Sequence, residues 1–190
     1  MRRQIGIAAV AVLATAALPL AALAETITFK LLPRYSYATF KTDAPLETVV
    51  GHTADAGLQG DLAVDPAKPQ GESYLDTETE ANRWVTFTVQ SVEVAGPRES
   101  GKVTPAKIRG LLTVKQKPVE RVSDGTVTYI KLSPEQVEAQ KRFGFTSDNI
   151  KVRTKLATTF TDHAMQIPQL LVLKLSNDIA IETDLTFIRQ

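Results

Sequence analysis

Residues 150–161 read Ile150-Lys-Val-Arg-Thr-Lys-Leu-Ala-Thr-Thr-Phe-Thr161. Ile150, Val152, Leu156 and Phe160 fall on one parity, and Lys151, Arg153, Lys155, Thr159 and Thr161 on the other. Successive side chains of a strand point to opposite faces, so this stretch is a strand with one buried and one wetted face. Such a strand roofs an apolar space, and further strands must enclose it.

Downstream, Asp162 to Pro168 is a loop, and Leu170–Leu175 pairs with Ile179–Ile188 across Ser176-Asn177-Asp178. Immediately upstream lies the single helix. Ser133 caps it, Pro134 suits its first turn, Gln136 completes a capping box before Val137–Phe143, and Gly144 ends it. Before that, Asp124-Gly125 is a type I′ hairpin signal joining Val119–Val122 to Val127–Leu132, and Lys117-Pro118 turns the chain. Ile108, Gly110, Leu112 and Val114 form an inward set. Val85, Phe87 and Val89 share a parity that Val92 and Val94 abandon, which predicts a bulge near Gln90-Ser91 and a curved sheet. From Pro66 to Asn82 the period fails, and the composition is that of a solvated surface crossing. Leu58–Val64, Val49–Gly51, Tyr35–Lys41 and Thr26–Leu32 complete the strands. The count predicts an all-β fold: an antiparallel, closed or nearly closed barrel of about eight strands with one short helix.

The first 24 residues stand apart. Arg2 and Arg3 precede an almost entirely apolar run, Ile5–Leu23, and Ala22-Leu23-Ala24 is a small-x-small cleavage site. That pattern is a secretory signal peptide, residues 1–24, which predicts a periplasmic protein with no membrane span after cleavage. The mature chain, residues 25–190, is expected to be one domain. Loss of two arginines takes Lys+Arg from 22 to 20 against 21 acids, a net charge of −1. Such a balance steers the protein neither to nucleic acid nor to an anionic membrane. The chain has no cysteine, which excludes disulfides, thiolate metal sites and thiol catalysis.

Little in the sequence carries reaction chemistry. His52 and His163 are read as exposed loop histidines, too few for a transition-metal site. Asp76, Glu78 and Glu80 alternate as a solvated acidic face rather than an acid/base pair. No nucleophile elbow, zinc-helix motif or phosphate-cradling loop is present. The expectation is a protein that is not an enzyme and needs no cofactor. The inward apolar parity is the functional candidate: Phe87, Val89, Ile108, Leu112, Leu156, Phe160, Ile181, Leu185 and Phe187. Every small barrel fills its core with such residues, yet as a set they can bound an elongated cavity for an apolar small molecule.

Several segments resemble YceI-like proteins in the same order. They are Tyr37-Ala-Thr-Phe-Lys, Ala44-Pro-Leu-Glu, the Gly51–Gly60 stretch and Val64-Asp65-Pro66, followed by Tyr74-Leu-Asp-Thr-Glu, Trp84-Val-Thr-Phe and Ile108-Arg-Gly-Leu-Leu-Thr-Val. The resemblance implies an exported lipocalin-like barrel that binds a long isoprenoid, quinone or other lipid in a tunnel, with no catalytic residues to carry over. The chain departs from that pattern between Asp65 and Tyr74, where the family has a further strand and hairpin. A missing wall strand would leave an edge or an open cleft. An exposed edge would suit a structural or interaction module, including a homodimer.

Overall fold

The computed structural model describes residues 27–54, 58–64, 70–76, 84–97, 99–170 and 173–190. The expected signal peptide lies outside them, as do Glu78 and Glu80. Twelve strands are described: β1 Ile27–Leu31, β2 Tyr37–Asp43, β3 Thr48–Ala54, β4 Leu58–Val64, β5 Gln70–Asp76, β6 Trp84–Val94, β7 Val103–Val114, β8 Lys117–Lys131, β9 Asp148–Thr159, β10 Gln169–Leu170, β11 Leu173–Lys174 and β12 Asp178–Arg189. The helix α1 spans Pro134–Gln140. All pairings are antiparallel. The fold is therefore the antiparallel barrel with one short helix that the strand parity and capping signals predicted.

One edge of β12 pairs with β9 over most of its length. Its other edge is shared by β2, through Ala180–Asp184, and β1, through Phe187–Arg189. A 3₁₀ turn at Pro33–Tyr35 separates β1 from β2, so the two act as segments of one wall strand. In the neighbouring position β4 pairs antiparallel with β1, and β3 pairs antiparallel with β2. The ladder β4-β5-β6-β7-β8-β9-β12 returns to β1, giving eight wall positions. The ring is completed on the β1 side only, by Phe29↔Arg189, Lys30↔Ile188 and Leu31↔Phe187. On the β2 side it stays open, because β3 has β2 as its one ladder partner among the described residues.

Apolar packing is densest beside that closing seam. Phe29, Leu31, Ala38, Leu58, Leu185 and Phe187 form one buried cluster, with Ile27, Ile150 and Val152 against it. The opposite face of β9 is wet, as its parity requires. Lys151 and Arg153 both reach Asp184 at 2.9 Å, and Lys155 meets Glu182 at 3.0 Å. The bulge occurs between Val89 and Ser91, where the β6–β7 register shifts. The capping box at Ser133 and Gln136 forms as the spacing predicts, and a 3₁₀ turn at Lys141–Phe143 extends α1 to Gly144, at φ 88°.

Four sequence expectations are corrected. Residues 70–76 are not a surface crossing. They form β5, paired to β4 and β6 on either side, so the short Asp65–Tyr74 region removes no wall strand and exposes no edge there. Gly71 and the polar residues of β5 carry no apolar period, and two neighbouring ladders impose the strand. Asp124-Gly125 is not a turn. Both residues lie within β8, opposite Lys107 and Ala106 of β7 and Lys155 and Thr154 of β9. The hairpin falls at Lys115-Gln116, whose φ values of 46° and 61° supply the type I′ geometry. Leu170–Leu175 does not pair with Ile179–Ile188; β10 and β11 pair with each other, and β12 takes β9, β2 and β1. His163 is not an exposed loop residue: it is 1 % exposed, while His52 is exposed on β3.

Candidate functional site

Inward parity on each long strand opens onto one cavity of about 580 Å³. All nine residues singled out from the sequence line it: Phe87 and Val89 from β6, Ile108 and Leu112 from β7, Leu156 from β9, Phe160 just beyond it, and Ile181, Leu185 and Phe187 from β12. Pockets of about 300–1,000 Å³ with mainly apolar walls are the usual size for small molecules. The register explains the convergence. Leu156 opposes Ile181, Val152 opposes Leu185 and Ile150 opposes Phe187 across the β9–β12 ladder, so their side chains share a face.

The first half of the chain contributes walls that sequence reading left out, notably Ile27, Phe29, Leu31, Phe40 and Leu58. Their strands are short and broken, so the period-2 signal has few cycles to show itself. Val92 and Val94 also line the cavity, because the bulge rotates them back inward. Phe40 is 41 % exposed, and its ring lies over Gly51, where an added Cβ would stand 1.8 Å from a ring carbon. The ring thus covers the glycine of β3, which pairs with β2 on one edge.

The two ends of the cavity differ. At one, Phe160 and Met165 point inward from the segment that follows β9. That segment is tied down by several bonds. Phe160 N–H donates to the Asn177 carbonyl at 3.0 Å, and Ser176 N–H to the Asp43 carbonyl at 2.6 Å. His163 lies 3.0 Å by Nδ1 from the Lys117 carbonyl and 2.8 Å by Nε2 from the Thr158 hydroxyl. A carbonyl only accepts, so Nδ1 carries a proton, and Nε2 is paired with the Thr158 hydroxyl. Arg121 adds an ion pair to Asp162 in the same segment.

At the other end the lining turns polar. Tyr129, Asp148 and Arg189 are the last inward residues of β8, β9 and β12, and Glu99 and Lys102 stand on the adjoining loop. Tyr129 donates its hydroxyl to Asp148, which also accepts from Ser147 at 2.7 Å and from Arg189 at 3.4 Å. The hydrogen bond from Tyr129, then that from Ser147, holds the Asp148 carboxyl below its ordinary range against the opposing effect of burial. The same bond, with burial, raises the Tyr129 phenol. Sequence reading missed these residues because no spacing links positions 129, 148 and 189; the ladder alone aligns them.

Among the described residues no group of three or more His, Asp or Glu is placed to hold a metal ion. No helix of the described residues is long and apolar enough to cross a membrane. The site offers an apolar volume, an apolar end at Phe160 and Met165, and a hydrogen-bonding end.

No model of a protein family matches the chain, and no curated protein is similar to it in sequence. Solved structures are similar in fold. A polyisoprenoid-binding domain from Saccharophagus degradans, implicated in plant cell wall breakdown, superposes with a TM-score of 0.60 at 12 % identity, covering 85 % of this chain and 98 % of that one. Burkholderia cenocepacia BcnA superposes with a TM-score of 0.51, also at 12 % identity, covering 80 % of this chain and 95 % of its own. The chain therefore shares the fold of a polyisoprenoid-binding domain.

Proposed function

We propose that this protein is a periplasmic carrier that holds one long apolar chain, a polyisoprenoid or similar lipid, inside the barrel and catalyses no reaction on it. The observation that carries this reading is the apolar cavity of about 580 Å³ lined from β1, β2, β6, β7, β9 and β12. Each methylene transferred from water to such walls contributes about 0.8 kcal/mol, so a long chain gains affinity along its whole length. The polyisoprenoid-binding neighbour supports the cargo class, and the N-terminal charge-apolar-small pattern supports the compartment. The test is native mass spectrometry of the mature protein isolated from the periplasm, with lipid analysis of an organic extract. A stoichiometric isoprenoid or quinone is expected. An empty protein that also takes up no added isoprenoid would sink the reading.

One observation favours a second reading, an interaction module: the outer edge of β3 is unpartnered among the described residues, and Val50 on that strand and Leu46 before it are 63 % and 84 % exposed. Unpaired strand edges recruit other chains by backbone hydrogen bonding. Light scattering across a concentration series separates the two readings. A concentration-dependent dimer abolished by Val50→Pro would favour the edge, and a monomer that binds lipid would favour the carrier.

A further inference from the structure

We propose that the polar end of the cavity selects a ligand ending in an uncharged hydroxyl and discriminates against a phosphate or diphosphate end. The inference rests on the carrier reading above and concerns which member of the amphiphile class the site accepts.

Among the described residues lining this end, charge is already matched. Lys102 pairs with Glu99 at 3.3 Å and Arg189 with Asp148 at 3.4 Å, so two cations face two carboxylates. A phosphate site needs uncompensated cations or converging backbone N–H groups. Here an anionic end-group would meet the Asp148 carboxylate, whose side chain is only 14 % exposed. Drawing Arg189 away to the phosphate would leave that carboxylate without its cation and beside a like charge, which is costly.

A hydroxyl fits the same groups. A carboxylate offers about four lone-pair positions, and Tyr129, Ser147 and Arg189 occupy three on Asp148. A ligand hydroxyl can donate to the remaining one. Its oxygen can accept from a further N–H of Arg189, whose planar guanidinium carries five donors. The apolar tail then runs from this end along Ile150 and Leu185 towards Phe160 at the other.

The experiment compares three ligands sharing one geranylgeranyl tail: the free alcohol, its methyl ether and the diphosphate. Each displaces a fluorescent apolar probe from the mature protein. The alcohol is expected to bind about tenfold more tightly than the ether, the size of one hydrogen bond to a charged group. It should exceed the diphosphate by at least the same factor. Asp148→Asn should narrow the alcohol's advantage over the diphosphate, read only if its circular dichroism matches wild type; the three-ligand comparison on wild type decides otherwise. Equal binding of alcohol and ether, or tighter binding of the diphosphate, would overturn the inference while leaving the carrier reading intact. Failure of all three to displace the probe would overturn the carrier reading itself.

Discussion

Gly125 occupies a point in β8 where a side chain has no room. An added Cβ would lie 2.3 Å from the Arg153 carbonyl oxygen of β9, and backbone cannot yield as a flexible side chain can. Gly125→Ala should therefore cost about 1–3 kcal/mol, the range for overpacking, measured by urea unfolding. Asp124 beside it makes only an exposed ion pair with Lys107 at 2.8 Å, so Asp124→Ala should leave the unfolding midpoint unchanged. Were the dipeptide a hairpin turn, both residues would matter, which makes the pair diagnostic. Tyr129 and Asp148 predict a pH signature. Asp148 is lowered from 3.8, so its contribution is complete above that value and lost as pH falls through its lower folded value. Tyr129 is raised from 10.0, so its contribution is complete below that value and lost as pH rises through the folded one. The stability gap between wild type and Tyr129→Phe should be flat between those ordinary values and shrink under stronger acid. A gap that instead grows in acid would contradict the bond.

At the scale of elements, α1 and the segment after β9 hold themselves in opposite ways. The helix has no buried residue and depends on local capping. Ser133→Ala should lose about 1 kcal/mol of helix stability, seen as faster amide exchange in 134–140 with little change elsewhere. The segment after β9 depends instead on buried His163. His163→Leu would take away the ring partner of the Lys117 carbonyl and leave the Thr158 hydroxyl with Arg121 alone, costing about 1–3 kcal/mol. The expected accompanying sign is faster exchange of the 160–165 amides. Protection equal to wild type would show that the other ties suffice.

At the scale of the whole molecule, one apolar volume serves two ends. Its walls include the cluster that seals β1 against β12, so the same side chains stabilise the fold and shape the site. Leu185→Ala should lower stability by about 2–5 kcal/mol, because the contacts of a buried leucine are lost and a void remains. Ile181→Trp should act differently, placing an indole in space already empty. It is expected to keep the wild-type circular dichroism spectrum while losing uptake of an apolar probe. A bound lipid at a hundredfold excess over its Kd should stabilise the native state by about 2.7 kcal/mol, visible as a rise in Tm. No rise at any ligand concentration would count against a lipid carrier.

Much of this architecture is written in the order of residues. Alternation in Ile150–Thr161 determined which face of β9 is wet, the parity break at Gln90-Ser91 determined the bulge, and Ser133-Pro134-Glu135-Gln136 determined where α1 begins. These are local signals, set by strand period and by capping chemistry within a few residues. The nine apolar positions that line the cavity were legible for the same reason. Tertiary structure decided the rest. Gln70–Asp76 became a strand because β4 and β6 each offer an unpaired edge. Gly125 proved a close-approach residue rather than a turn because β9 passes beside it. The polar group of Tyr129, Asp148 and Arg189 exists only because ladder register brings three distant strand ends together. Period and propensity are properties of neighbours along the chain, whereas edge pairing, close approach and convergence are properties of neighbours across it.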